Sequence, residues 1–170
     1  MSVFQVEISN LFISYGHDFR GHHGMPRGNH PVDSVESIDC VQGLGIKGDR
    51  YFNYKEDFKG QITFFDSSLH IEIKEKFHHP DLCPSAFRRN VIVKGLDLNS
   101  LIGKEFSING VRLSGSEECK PCYWMDEAVG KGIEDFLKGR GGLRCRILSN
   151  GSLSLGRQML TVHEGTDPKQ

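Results

Sequence analysis

Residues 105–114 read Glu-Phe-Ser-Ile-Asn-Gly-Val-Arg-Leu-Ser, so two short runs of alternating character flank an Asn-Gly pair. An Asn-Gly pair between such runs is the strongest short-range signal of a β-hairpin, because both residues accept the positive φ of a tight two-residue turn. The stretch therefore predicts two antiparallel strands joined at Asn109 and Gly110.

Apolar runs on both sides of this hairpin predict further short strands. They lie at residues 6–13, with a bulge near Asn10, at 32–41, 61–65 and 91–93, and in a final hairpin of 143–148 with 152–155. Leu69, Ile73 and Phe77 recur every fourth residue, which predicts one amphipathic helix over 67–77 with Asp66 as its N-cap. Shorter helical segments are predicted at 96–101 and 133–138.

Seven or more short strands, few helices and no alternation of strand and helix favour a mainly β fold, in particular a closed β-barrel with a few short helices. A barrel gathers the loops at its strand ends around its mouth. We therefore expect the loops that carry polar and cationic residues to share one pocket there.

The composition limits the class of protein. The 170 residues suit a single domain over 1–170, with a polar tail at 164–170. A net charge of −1 offers no global attraction to nucleic acid. The five cysteines are an odd number, no signal-peptide pattern precedes them, and no apolar run is long enough for a membrane span. We therefore expect a cytoplasmic protein with free thiols.

The hairpin leads directly into residues 118–124, Glu-Cys-Lys-Pro-Cys-Tyr-Trp, where Cys119 and Cys122 are three positions apart. Such a pair can bind a metal, attack a substrate, form a disulfide, or simply be buried as small hydrophobic side chains. A zinc-stabilised barrel would need Cys83 or histidines to complete four ligands. A thioredoxin-type motif would place the pair at a helix start, whereas short β-like runs precede it here.

Three loops combine glycine or asparagine with cationic side chains, a composition that suits an anion. The candidate anion-binding residues are Lys47, Asp49 and Arg50 in the first loop, Arg88, Arg89 and Asn90 in the second, and Arg140 and Arg144 in the third. The alternative for each is a solvated charged pair in a wide turn.

A fourth loop, residues 16–31, is rich in glycine and histidine. Long loops in compact domains are often functional, so we expect this one to cover a site. His22, His23 or His30 would then be placed to donate a proton. The alternative is a solvated loop.

Five motifs, in this order along residues 30–157, resemble those of the MOSC family, domains related to the C-terminal part of molybdenum cofactor sulfurases. They are residues 45–50, 88–93, 101–103, 119–122 and 139–144. The resemblance implies a closed barrel of the type seen in the pyruvate kinase barrel domain, and a pterin-based molybdenum cofactor (molybdopterin). It also implies that Cys122 is the molybdenum ligand and that Arg88, Arg89 and Asn90 hold the pterin and its phosphate. The cofactor site would further include Lys47, Asp49, Arg50, Cys119, Arg140 and Arg144.

The chain lacks the aminotransferase-like domain of the sulfurases, so no pyridoxal phosphate site is expected. It also lacks a ferredoxin-type cysteine set, so electrons would come from a separate protein. The leading hypothesis is an oxidoreductase that reduces small N-hydroxylated molecules, with no nucleic-acid or membrane partner. The alternatives are a sulfur carrier, in which Cys122 holds a persulfide received from a donor for cofactor or metal-sulfur cluster maturation, a non-catalytic cofactor carrier, or the zinc-stabilised barrel.

Overall fold

The computed structural model of the chain describes residues 1–19 and 26–165. In these residues eleven strands form: β1 (Ser2–Ile13), β2 (Asp33–Val35), β3 (Ser37–Val41), β4 (Gly45–Ile46), β5 (Ile62–Asp66), β6 (Val91–Lys94), β7 (Glu105–Ile108), β8 (Val111–Glu118), β9 (Leu143–Ile147), β10 (Gly151–Ser154) and β11 (Gly156–His163). The helices are α1 (Ser67–Lys76), α2 (Tyr123–Ala128) and α3 (Ile133–Phe136), with short 3-10 helices at Pro84–Phe87 and Leu98–Leu101. No helix in the described residues is long and apolar enough to cross a membrane.

Seven strands close into a barrel in the order β1, β11, β7, β8, β9, β5, β6 and back to β1. The 12 residues of β1 allow this closure, because its first part pairs with β11 and its later part with β6. Its register with β6 shifts between Ile8 and Asn10, and a bulge of this kind bends a strand. The predicted mainly β class and the closed barrel are therefore confirmed.

The central hairpin forms as predicted. β7 and β8 pair from Glu105–Ser114 to Ile108–Val111, and the two turn residues Asn109 and Gly110 have φ of 48° and 78°. Both values lie in the left-handed region that Asn and Gly tolerate best. β8 then continues to Glu118 and pairs with β9, so the two strands of the hairpin are adjacent strands of the barrel.

One connection of the barrel is a strand–helix–strand crossover, which the sequence pattern did not indicate. β5 and β6 are parallel, and parallel neighbours need a long crossover, here supplied by α1 and the first 3-10 helix. α1 matches the predicted helix closely, and its predicted N-cap is confirmed, since Oδ1 of Asp66 accepts a hydrogen bond of 2.8 Å from the backbone N of Ser68.

Two strand predictions need correction, and one strand was missed. The single strand predicted over 32–41 is two strands, because β2 pairs with β1 whereas β3 pairs with β10 and β4 in a separate small sheet. The predicted final hairpin does not form, because β9 pairs with β5 and β8, and β10 pairs with β3. β11 was not predicted, because its sequence lacks a strong apolar alternation. Only Leu160 among its residues is buried.

Two hydrophobic cores lie on opposite faces of β5. Ile62 and Phe64 belong to the core inside the barrel, whereas Phe65 belongs to a second core outside it, where α1, α2 and α3 pack. In this outer core the rings of Phe65 and Phe87 stack with 4.3 Å between their centroids. Because helices cover this part of the barrel wall, the residues on its outer face are available to build a sheltered site.

Candidate functional site

A cavity of about 240 Å³, partly open to solvent, lies against the outer wall of the barrel. Thr63 of β5 and Arg144 of β9 line it and are direct cross-strand partners. Their neighbours along both strands are in the barrel core, namely Ile62, Phe64, Leu143 and Cys145. Most of the lining comes from loops at strand ends, as expected, but Thr63 and Arg144 place part of the cavity on the outer face of the wall, beside α2, because side chains fill the barrel itself. Residues from all three predicted cationic loops do line it.

The cysteine turn forms one side of the cavity and begins a helix. Cys119 follows β8, and its backbone N donates to the carbonyl oxygen of Gly142 at 2.8 Å. Cys122 occupies the N-cap position of α2, which corrects the expectation that this pair does not stand at a helix start. Both cysteines line the cavity, but Cys119 is buried whereas Cys122 is exposed. The Cys122 side chain is thus exposed in the wall of the cavity, and its role as a ligand stays a prediction.

Thiol labelling of the native protein should therefore be selective. Burial raises the pKa of Cys40 to about 12 and raises the pKa of Cys145, so both thiols stay protonated and inaccessible at neutral pH. Cys83 and Cys122 are exposed. We expect brief iodoacetamide treatment at pH 7.5 to modify only these two, as read by peptide mass spectrometry. Rapid modification of Cys40 or Cys145 in the folded protein would contradict this arrangement.

Three cationic side chains line the cavity beside the thiols: Arg50, Lys120 and Arg144. The guanidinium of Arg50 lies 4.8 Å from the ring centroid of Tyr51 and 3.4 Å from Oδ1 of Asp49. Burial acts to lower the pKa of Arg144, but the nearby Cys119 thiol raises it, as do Tyr51 and Glu117. This region of the wall therefore combines positive charge with thiols, a combination that attracts an anionic ligand.

Arg88 and Arg89 also line the cavity, but their guanidinium groups are engaged within the protein. Arg88 donates through Nη1 to Oδ2 of Asp18 at 3.0 Å and through Nη2 to Oγ of Ser14 and the carbonyl of Gly16. Burial and the neighbouring charge of Arg50 lower its pKa, although Asp18 acts in the opposite direction. Arg89 donates to backbone carbonyls only. The predicted anion site thus has fewer unoccupied donors at this position than the sequence indicated.

Asp18, in the loop that follows β1, joins this loop to Arg88 and to His30. Its Oδ1 accepts from the backbone N of His30 at 2.7 Å and lies 3.0 Å from Nδ1 of the same residue. Burial raises the pKa of Asp18, but the hydrogen bonds from His30 and the charge of Arg88 outweigh it and lower the pKa overall. Asp18 itself lines the cavity, and its buried carboxylate fixes the position of Arg88 at the same edge.

This pKa shift makes the Asp18 contribution dependent on pH. A carboxyl whose pKa is lower in the folded than in the unfolded protein contributes stability above its unfolded pKa of about 3.9, and loses it as the pH falls through the folded value. We expect wild type to be more stable than Asp18→Asn at pH 6, and this difference to shrink below about pH 4. Denaturant unfolding at several pH values measures it. A difference independent of pH would contradict the assignment.

Asp49 and Asn90, two predicted cofactor residues, form a buried network behind the cavity and do not line it. Asn90 accepts at Oδ1 from the backbone N and the hydroxyl of Thr63, and donates through Nδ2 to the carbonyl of Phe12. Oδ1 of Asp49 accepts from the backbone N of Ser14 at 3.1 Å. The two side chains contact each other at 3.4 Å and so join β1, β5 and the loop before Arg50.

Two other predicted residues lie away from the cavity. Lys47 is exposed and does not line it. Arg140 donates through Nε to the carbonyl of Phe136, its guanidinium lies 4.2 Å from the Phe136 ring centroid, and its Nη1 is 3.8 Å from Glu72. Although Arg140 is close in sequence to Arg144, it faces α1 and α3, because the glycine loop turns between them.

Aromatic residues that were not predicted as site residues line much of the remaining wall. Phe19 and Trp124 pack with their ring centroids 4.7 Å apart, and Tyr51 and Phe58 with theirs 5.1 Å apart. Trp124, the only tryptophan, was the one signal available, since the other rings come from separate loops without periodicity. The rings give the cavity flat apolar surfaces beside its charges.

Of the three histidines proposed as proton donors, His22 and His23 lie outside the described residues, and His30 does not line the cavity. Among the described histidines, His17 does, with its ring 4.9 Å from that of Tyr51. Within residues 1–19 and 26–165 no group of three or more His, Cys, Asp or Glu side chains could hold a metal ion together. The zinc site with Cys83 or described histidines therefore has no support.

Solved structures share this architecture. The YuaD protein from Bacillus subtilis is similar over 96% of this chain and 99% of its own, with a TM-score of 0.75 and 20% sequence identity. YiiM from Escherichia coli is similar over 98% of this chain and 73% of its own, with a TM-score of 0.64 and 15% identity. YiiM from Geobacillus stearothermophilus has the same TM-score at 16% identity, over 95% of this chain and 77% of its own. At these identities the likeness concerns the fold.

No protein with a curated description matches the sequence. The family model of the MOSC domain, in contrast, matches residues 53–160, which is more than half of the chain. The match begins in the loop between β4 and β5, which carries Phe58, and ends within β11. It therefore includes Arg88, Arg89 and both cysteines of the turn. The chain therefore belongs to the MOSC domain family.

Proposed function

We propose that this protein binds a molybdenum cofactor in the cavity beside Cys122 and reduces small N-hydroxylated molecules with electrons from a separate donor protein. The MOSC family is associated with the molybdenum cofactor. The observation that carries the proposal for this chain is the exposed Cys122 thiol in the wall of a cavity that Arg50, Lys120 and Arg144 also line.

The residues around the cavity fit such a group by the chemistry of their donors. A thiolate is a soft ligand that suits a thiophilic metal, and one exposed cysteine leaves other coordination positions available. Arg50, Lys120 and Arg144 supply charge for a phosphate, and the aromatic walls supply flat surfaces for a pterin ring. In this proposal Cys122 is the metal ligand, and the buried Cys119 supports the turn.

When bound, the cofactor would supply a two-electron redox centre next to the substrate. Reduction of an N-hydroxylated amine to the amine consumes two electrons and two protons and releases one water. The arginines and backbone amides of the cavity would stabilise negative charge on the departing oxygen. His17 is the described histidine placed to deliver a proton, because it lines the cavity. Phe19 and Trp124 would shield the reaction from bulk water.

The second candidate is a sulfur carrier, in which Cys122 holds a persulfide. The same exposed thiol favours it, since a persulfide must be reached by both a sulfur donor and an acceptor. Cofactor storage without catalysis would use the same cavity. These alternatives differ in what the purified protein retains and in what it turns over.

The test is metal analysis of protein purified without oxygen from a molybdenum-replete host, followed by an assay with reduced viologen and an N-hydroxylated purine or amidoxime. Near-stoichiometric molybdenum and turnover support the reductase. Retained molybdenum without turnover of any N-oxygenated substrate favours cofactor storage. Protein without molybdenum that accepts labelled sulfane sulfur on Cys122 from a persulfide donor, which leaves as the thiol, and passes it on would move the assignment to the sulfur carrier.

A further inference from the structure

Arg89 joins two loops that are distant in sequence. Its Nε and Nη2 donate to the carbonyl oxygen of Gly141 at 3.2 and 3.1 Å, and its Nη2 also lies 3.4 Å from the carbonyl oxygen of Cys119. Its Nη1 donates to the carbonyl of Phe87 at 2.8 Å. The residue is 8% exposed, so water competes little for these donors.

The two loops meet so closely at this point that only glycine fits. A Cβ atom added to Gly141 would overlap the carbonyl oxygen of Cys119 and the ring of Pro121, and one added to Gly142 would overlap the carbonyl oxygen of Phe64. The backbone hydrogen bond from Cys119 to Gly142 closes the same junction. The position of the cysteine turn therefore depends on how residues 139–142 are held.

Arg89 differs in this respect from its neighbour Arg88. Arg88 pairs with the carboxylate of Asp18, whereas none of the ion pairs among the described residues involves Arg89. Three backbone carbonyls, from Phe87, Gly141 and Cys119, are its partners. A planar guanidinium can serve several carbonyls at once, which the three donors of a lysine ammonium cannot reproduce in the same geometry.

We infer that Arg89 is a positioning residue, whose guanidinium clamps the turn of residues 119–122 to the glycine loop of residues 139–142 and thereby sets where the Cys122 thiol stands in the cavity wall. Its effect on a cofactor acts through Cys122 and rests on the proposed function. The clamp itself concerns the protein without a ligand. The inference also gives Arg89 a role different from that of a phosphate ligand.

The experiment compares Arg89→Lys with Arg88→Lys in the full chain, free of cofactor and carrying Cys83→Ser, so that Cys122 is the only exposed thiol among the described cysteines. The two arginines are adjacent and almost equally buried, and each substitution keeps the positive charge. Amide hydrogen exchange reports the loops, and the rate of iodoacetamide modification reports Cys122. Unfolding curves of both variants identify any general loss of stability.

In Arg89→Lys we expect the hydrogen-bonded amides of the two loops, those of Cys119 and Arg140, to exchange at least about tenfold faster, because local opening then costs less. Modification of Cys122 should be at least about threefold faster, as its turn opens more often. In Arg88→Lys the faster exchange should fall on residues 14–18 instead, with Cys122 modified at the rate of the parent.

Unchanged exchange and thiol reactivity in Arg89→Lys would overturn the inference. So would equal loosening of the cysteine turn in both variants, since that result indicates general destabilisation. Neither measurement needs a cofactor, so the clamp can be correct in a protein that binds no molybdenum. A confirmed clamp with no molybdenum retention would count against the proposed function alone.

Discussion

Replacing Cys122 by serine should reduce the molybdenum retained per protein by at least about tenfold, because even outer-shell partners of a metal ligand are worth roughly 10–100-fold in metal affinity. The substitution changes a single atom of an exposed side chain, so the barrel and the cavity wall should remain intact. A hydroxyl is a much harder and weaker ligand than a thiolate for a soft metal centre. Metal analysis after anaerobic purification measures the effect.

Two other serine variants serve as controls for this result. Cys83→Ser removes an exposed thiol that does not line the cavity and should leave the molybdenum content unchanged. Cys119→Ser alters a buried residue of the turn and should reduce retention only partly. Equal retention in the Cys122 and Cys119 variants would contradict the assignment of Cys122 as the ligand, and so would full retention in Cys122→Ser.

Replacing Asp49 by alanine should lower the free energy of unfolding by about 3 kcal/mol, because it leaves buried donors without an acceptor. The Asp49 side chain is fully buried. Its carboxylate accepts from the backbone N atoms of Ser14 and Tyr51 and from the side chains of Arg50 and Asn90. Losing it would release β1 from the loop that carries Arg50 into the cavity. Equilibrium unfolding in denaturant measures the change.

The matched control is Glu105→Ala, which removes a carboxylate from an ion pair with Arg112. Both partners there are about half exposed, and an exposed ion pair contributes at most about 1 kcal/mol. We therefore expect the Asp49 variant to lose clearly more stability than the Glu105 variant. Similar small losses in both would mean that the Asp49 network is not a structural hub.

Local features of the fold were predictable from the sequence because they depend on neighbours along the chain. The turn at Asn109 and Gly110 follows from the φ values that these two residues tolerate. The start of α1 follows from the capping hydrogen bond between Asp66 and Ser68, which are only two residues apart. The pairing of β9 and β10 was mispredicted for the opposite reason. Both strands are adjacent in sequence, but their hydrogen bonds go to β8 and β3.

The candidate site divides in the same way. The spacing of Cys119 and Cys122 and the cationic side chains of the loops are properties of the sequence, and so is the resemblance that led to the MOSC family. The number of hydrogen-bond donors that each arginine leaves for a ligand cannot be found from the sequence. Arg89 is 30 residues from Cys119 and 52 from Gly141, so its bonds exist only after the barrel has closed.

The sequence by itself determined the mainly β class, the hairpin, the helix over α1, the free thiols and the types of residue available to a ligand. The tertiary structure decided that the cavity lies on the outer wall of the barrel and that aromatic rings line it. It also decided that the guanidinium groups of Arg88 and Arg89 donate to carboxylate and carbonyl groups of the protein. The physical reason is the range of the interactions. Turn and cap geometry is set within a few residues, whereas a buried polar side chain takes whichever partners chain closure brings within hydrogen-bonding distance.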